Sequence, residues 1–178
     1  MLGVLASERE VGLYSVAFNL MEGTFFIPTI VMAAIFPGLS QAKHFSAYFR
    51  KGVLLLTLSG IAGGSAVFLL AEWIIHLFFA AEFQSSAEIL QILAFAIPLV
   101  FWGYLMTQSL VALDHNRIYL GITAGGVLLN VLLNFWLIPE HGASGAAVAT
   151  VITEALIPFS CFLMILKHQL SSPPAHGA

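Results

Sequence analysis

Glu22 and Glu154 lie deep inside apolar stretches of a 178-residue chain. A carboxylate near mid-bilayer costs on the order of 3 kcal/mol by insertion scales, so such a group is rarely placed against lipid. Ser15, Asn19, Glu22 and Thr29 recur at helical spacing and fall on one face of a helix. That face is expected to look into protein or water. Thr123, Asn130 and Asn134 form a second polar stripe, and Thr150 with Glu154 a third. The three stripes are expected to converge on one cavity lined by Asn19, Glu22, Asn130, Asn134 and Glu154. Its chemistry would be a hydrated route for a polar solute, or a glutamate taking up a proton or sodium ion. The competing reading is packing: asparagine and threonine often join neighbouring helices for about 1 kcal/mol or less, and a protonated glutamate can do the same. Glu72 and His76, one turn apart, read as interfacial.

Nothing in the sequence suggests covalent chemistry. The six histidines have no metal-ligand spacing, and His115, His141, His168 and His176 fall on connectors or the tail. The serines show no nucleophile elbow, and there is no glycine-rich phosphate loop. The single cysteine, Cys161, has no partner for an intramolecular disulfide or a thiolate metal site. The expectation is a non-enzyme with no cofactor, no metal and no nucleic-acid partner.

The elements that must position these residues follow from composition. Hydrophobic residues make up 60% of the chain and charged residues 8%, against about 25% charged in soluble proteins. Apolar stretches at 11–36, 52–79, 89–113, 118–138 and 143–166 are each long enough to cross about 30 Å of hydrocarbon as a helix. The expected fold is an all-α, polytopic transmembrane helix bundle over residues 1–170, with a disordered tail at 171–178. Five of the six cationic side chains, Lys43, Arg50, Lys51, Arg117 and Lys167, share one set of connectors. The opposite connectors carry Glu8, Arg9, Glu10, Glu82 and Glu140. This bias places the C-terminus in the cytoplasm and residue 10 outside.

Residues 1–10 lack a signal-peptide pattern, and Met1 to Leu5 is too short to cross a bilayer, so the expectation is that an upstream helix precedes the chain or that it is a five-span protein with an external start. The connector 37–51 carries Leu39, Phe45, Tyr48 and Phe49 among cations and is expected to form a short interfacial helix. Pro28, Pro98 and Pro158 fall inside spans and can kink them. Gly60 with Gly64, and Gly121 with Gly125, are small-xxx-small pairs suited to close helix packing.

Several patterns resemble the C-terminal lobe of polysaccharide and O-antigen flippases, within the multidrug, oligosaccharidyl-lipid and polysaccharide transporter superfamily. They are Gly12-Leu13-Tyr14-Ser15 with Ala17, Glu22 and Pro28, then Ile35-Phe36-Pro37-Gly38-Leu39-Ser40. Glu82-Phe83 with Ala87, Ile89-Leu90 and Ile92-Leu93 follows, then the run Asn130 to Thr150. The resemblance implies the second lobe of a two-lobed, MATE-like fold that rocks in alternating access. The implied cargo is an undecaprenyl-diphosphate-linked sugar repeat moved from the cytoplasmic to the outer leaflet of a bacterial or archaeal plasma membrane. It also implies a missing N-terminal lobe, with a polysaccharide polymerase and glycosyltransferases as further partners. Two features depart from the family. Members often carry arginine near the position of Asn19, whereas this lobe has no cation deep in a span, so Arg50, Lys51 and Arg117 are candidates for receiving the headgroup at the cytoplasmic mouth. Ala80-Ala81 replaces a glycine-containing turn. A cation-coupled multidrug exporter and a non-transporting membrane scaffold are the alternative functions.

Overall fold

A computed structural model describes residues 2–41 and 43–171, with side chains described as far as Lys167. The His168 side chain and residues 172–178 of the expected tail lie outside the described residues. The regular structure is helical: α1 (Leu2–Leu5), α2 (Glu8–Glu22), α3 (Phe26–Leu39), α4 (Phe45–Phe78), α5 (Ser86–Ala94), α6 (Ala96–Ala112) and α7 (Asn116–Ser171). A single 3-10 turn, Gly23–Phe25, links α2 to α3. The segments Glu8–Leu39, Phe45–Phe78 and Asn116–Lys167 are each long and apolar enough to cross a membrane, the last being two limbs joined at a reversal, and α5 with α6 makes a further candidate bent by 42°. The chain is an all-α polytopic membrane bundle.

Two of the breaks have a common cause. Proline has no N–H and its ring crowds the carbonyl four residues earlier. Pro28 therefore disturbs Thr24, inside the 3-10 turn, and Pro98 disturbs Ala94, where α5 ends. Pro158 lies within α7 without such a break. The interruption in α7 is Gly142, with φ 54° and ψ −133°, a conformation that glycine adopts without a Cβ penalty. There the helix doubles back. Asn130 meets Thr153, and a Cβ at Gly126 would lie 2.6 Å from Ile157, so the two limbs of α7 run antiparallel with the reversal at 141–142.

Helices α4 and α6 are also antiparallel. A Cβ on Gly52 would lie 2.7 Å from Leu105, and one on Gly60 would lie 2.9 Å from the Pro98 Cα. The expected packing role of Gly60 and Gly64 is thus met at the α5–α6 break. Gly121 and Gly125 differ: nothing approaches within 4 Å of a Cβ at either position, and Gly126 makes the close contact instead. The limbs of α7 meet on a face rotated by one residue from the expected pair.

The connector 37–51 does not form a separate interfacial helix. Leu39 ends α3, while Phe45, Tyr48 and Phe49 belong to the first turns of α4. Leu39 and Phe45 are buried, and the Tyr48 ring occupies the space left by the missing side chain of Gly38. At about 1.5 Å per residue, the 34-residue α4 is longer than a bilayer core. Its basic first turns continue the helix beyond the apolar layer.

Large apolar side chains both fill and coat the bundle. Phe101, Met21, Leu56, Leu90 and Leu105 are fully buried, while Leu58, Leu69, Leu120 and Leu132 are exposed. Exposed Trp73 and Trp136 lie toward the end that holds Glu82 and Glu140, where amphipathic indoles suit a membrane–water boundary.

Candidate functional site

The exposed polar face lies on α2 and α3. Ser15, Asn19, Glu22 and Thr29 are all exposed, in a chain whose other exposed surfaces are largely leucine, isoleucine and phenylalanine. Ser15 Oγ donates to the Val11 carbonyl at 2.7 Å and Thr29 Oγ1 to the Phe25 carbonyl at 2.8 Å, so both hydroxyls are satisfied by a carbonyl one turn earlier. Glu22 directly precedes the 3-10 turn, where the backbone departs from α-geometry.

Apart from Glu154, the residues of the other two stripes are bonded within the protein. Asn134 Nδ2 donates to Asn130 Oδ1 at 2.8 Å and to the Asn130 carbonyl at 2.9 Å. Asn130 Nδ2 donates to Thr153 Oγ1 at 3.2 Å, and that hydroxyl donates to the Ala149 carbonyl at 2.8 Å. This chain of bonds joins the limbs of α7 to each other. Thr150 Oγ1 lies 3.1 Å from the Tyr14 hydroxyl, which couples α7 to α2. Glu154 is half-buried one turn further along. The structure therefore brings Asn130 and Asn134 together, keeps Asn19 and Glu22 together on the exposed face of α2, and gives the two groups different surroundings. Asparagine amides inside the α7 hairpin are held by protein partners, whereas the α2 face is open.

At one end of the bundle the chain makes a contact that sequence reasoning missed. Ser7 caps α2, its hydroxyl accepting from the Glu10 N–H at 3.3 Å. A Ser-x-x-Glu start would ordinarily return the glutamate side chain to its own cap. Here Glu10 Oε2 instead accepts from the Ala143 N–H at 2.6 Å, the first amide after the Gly142 reversal. Tyr14 meets Thr150 further along both elements, so α2 and the second limb of α7 run parallel from this end. Glu8, Arg9 and Glu82 border a shallow cavity beside it.

The opposite end carries most of the cations. Arg50, Lys51 and Arg117 are exposed at the starts of α4 and α7, and the antiparallel pairing of α4 with α6 places those two starts at the same end of the bundle. Just inside this end, a cavity of about 350 Å³ opens between α3 and α6, lined by Thr29, Ala33, Phe36, Pro37, Tyr104 and Gln108 among others. Thr29 is the one member of the exposed α2–α3 stripe that lines it. Tyr104 and Gln108 were not singled out from sequence, although a polar pair four residues apart within an apolar helix was a readable signal.

Residues 1–136 match the MatE family. The chain is similar to "Probable low-salt glycan biosynthesis flippase Agl15" of Haloferax volcanii, 27% identical over 177 residues that cover 96% of this chain and 36% of that protein. It is similar to "Probable flippase AglR" of the same organism, 25% identical over 181 residues, covering 97% of this chain and 38% of that protein. A third relative, "Probable multidrug resistance protein YpnP" of Bacillus subtilis, is 28% identical over 137 residues, covering 75% of this chain and 31% of that protein. The chain thus spans little more than a third of the length of the curated flippases it matches. No solved structure matches it.

Proposed function

This chain belongs to the MatE family, and from that premise we propose that it forms part of a transporter that flips a lipid-linked oligosaccharide from the cytoplasmic to the outer leaflet. In this reading it supplies the second lobe of an alternating-access machine, does no covalent chemistry, and works beside a first lobe and the polymerase and glycosyltransferases that handle the glycan. The observation that carries the proposal is the exposed face of Ser15, Asn19, Glu22 and Thr29. Lipid is a poor neighbour for a carboxylate and an amide, so this face suits a hydrated route shared with another lobe. The names of two relatives, both called flippases and one tied to glycan biosynthesis, support the cargo class.

Asn19 and Glu22 would border the route directly. Glu154 would border it from α7, with Asn130 and Asn134 holding that helix pair in shape. Arg50, Lys51 and Arg117 would meet the diphosphate at the cytoplasmic mouth, where cations raise the local concentration of an anionic headgroup. A bacterial or archaeal plasma membrane, with the basic end inside, fits this direction of transport.

A cation-coupled drug exporter is the second reading, favoured by the name of the Bacillus subtilis relative and by a half-buried Glu154 suited to carrying a proton. The test is reconstitution of the full-length protein in liposomes with a fluorescent undecaprenyl-diphosphate oligosaccharide. Flipping is expected, and the Glu22→Ala, Glu154→Ala double variant is expected to slow it by about tenfold or more, a barrier change of about 1.4 kcal/mol. Normal flipping by that variant would remove both residues from the mechanism. Gradient-dependent drug efflux without glycolipid movement would establish the exporter reading instead.

A further inference from the structure

We propose that the cavity between α3 and α6 is a subsite for a neutral sugar ring, distinct in its chemistry from any site that binds the diphosphate. The proposal rests on the flippase reading and adds to it where one part of the cargo is held.

The lining carries no charged side chain. An anionic headgroup is recognised by cations or by clustered N–H donors, and neither is present in the cavity wall. What the wall offers is a mixture of donors and acceptors. Gln108 contributes an amide with both functions, and Tyr104 a hydroxyl with both. Gln108 is half-buried and has no hydrogen-bond partner among the described residues. The Thr29 hydroxyl gives its proton to Phe25 and keeps its lone pairs for accepting.

Aromatic surface completes the match. Phe36 and Tyr104 line the cavity together, and Tyr104 is held by an edge contact with Phe25 at a centroid separation of 6.5 Å. A sugar ring presents hydroxyls at its rim and C–H groups on its faces, so it needs both polar partners and flat apolar walls. At about 350 Å³ the space is at the small end of ligand pockets, which run from about 300 to 1,000 Å³. It would take a single ring rather than a polyisoprenyl tail. Its place also suits the cargo. Phe36 and Pro37 are in the last turns of α3, and Gln108 is one turn before the end of α6, so the cavity lies just inside the end that displays Arg50, Lys51 and Arg117.

The test uses the full-length protein in lipid nanodiscs and two radiolabelled probes, a short-chain polyisoprenyl diphosphate bearing one disaccharide and the same lipid without sugar. Wild type is expected to bind the sugar-bearing lipid about tenfold more tightly, as two or three added hydrogen bonds allow. The Gln108→Leu, Tyr104→Phe double variant is expected to erase that preference while leaving the affinity for the sugar-free lipid unchanged. Gln108→Asn keeps an amide and should retain part of the preference, which a folding defect at this position would not allow. Equal binding of both probes by wild type overturns the subsite, as does a double variant that still prefers the sugar-bearing lipid. In either case the flippase reading stands or falls separately, on its flipping assay. Failure of wild type to bind either lipid overturns both.

Discussion

Glu10 acts as a helix cap for a helix that starts 133 residues later in the chain. The second limb of α7 begins with N–H groups that have no intrahelical partner, and the glutamate carboxylate satisfies the first of them while placing negative charge at the positive end of the helix dipole. Because the carboxylate belongs to α2, the bond also ties the first long helix to the reversal at Gly142. Glu10→Ala is expected to cost about 1–2 kcal/mol, the range for losing a good N-terminal cap, read as a lower midpoint in thermal unfolding of the protein in detergent. Glu10→Gln keeps an acceptor and loses the charge, so it should fall between the two. No change for Glu10→Ala would mean that the Ala143 amide is satisfied by water at no cost. The asparagine pair shows the reverse balance of legibility. Asn130 and Asn134 were marked by their four-residue spacing, but their partner Thr153 was not, because spacing along a helix says nothing about which neighbour it meets.

The elements owe their close approaches to missing side chains and their bends to missing N–H groups. A Cβ at Gly64 would lie 2.9 Å from the Ala94 carbonyl oxygen and 3.2 Å from the Pro98 ring. Both are fixed by the α5–α6 break and neither can swing aside. Gly64→Val is therefore expected to destabilise by about 1–3 kcal/mol, the usual penalty of overpacking. Gly125→Ala meets nothing within 4 Å and should be neutral or stabilising by up to about 1 kcal/mol, since alanine is the better helix former. Parallel thermal unfolding of the two variants checks the contrast, and equal effects would mean that the contact at Gly64 relaxes. The sequence made both glycine pairs look alike, since both have the four-residue spacing. What separates them is the rotation of each helix about its own axis, set by tertiary packing and not by hydropathy. Two of the three expected prolines were more transparent, while Pro158 makes no break. Pro28 and Pro98 announced breaks that the chain makes about one turn before each ring, because the damage falls on the earlier carbonyl.

For the whole molecule, composition and apolar run length were enough to identify an all-α membrane bundle, since no soluble core could hide so much apolar surface. The connector 37–51 was misread because its aromatics resembled an interfacial face, when Tyr48 was needed to fill the gap at Gly38. The two ends of the bundle now have distinct chemistry. Glu8, Glu10, Glu82 and Glu140 gather around the α7 reversal, while Lys43, Arg50, Lys51 and Arg117 lie at the other end. The excess of lysine and arginine predicts that the second end faces the cytoplasm. Cys161 is fully buried, so it adds little background to single cysteines introduced elsewhere in this chain. Ser46→Cys, at the basic end, should react in intact cells only with a membrane-permeant thiol reagent. Ser85→Cys, beside Glu82, should react with an impermeant one added outside. The opposite pattern would invert the molecule and place the Thr29–Gln108 cavity at the outer mouth. A sugar held there would belong to a departing cargo, and the neighbouring cations would meet the diphosphate on its way out instead of on its way in.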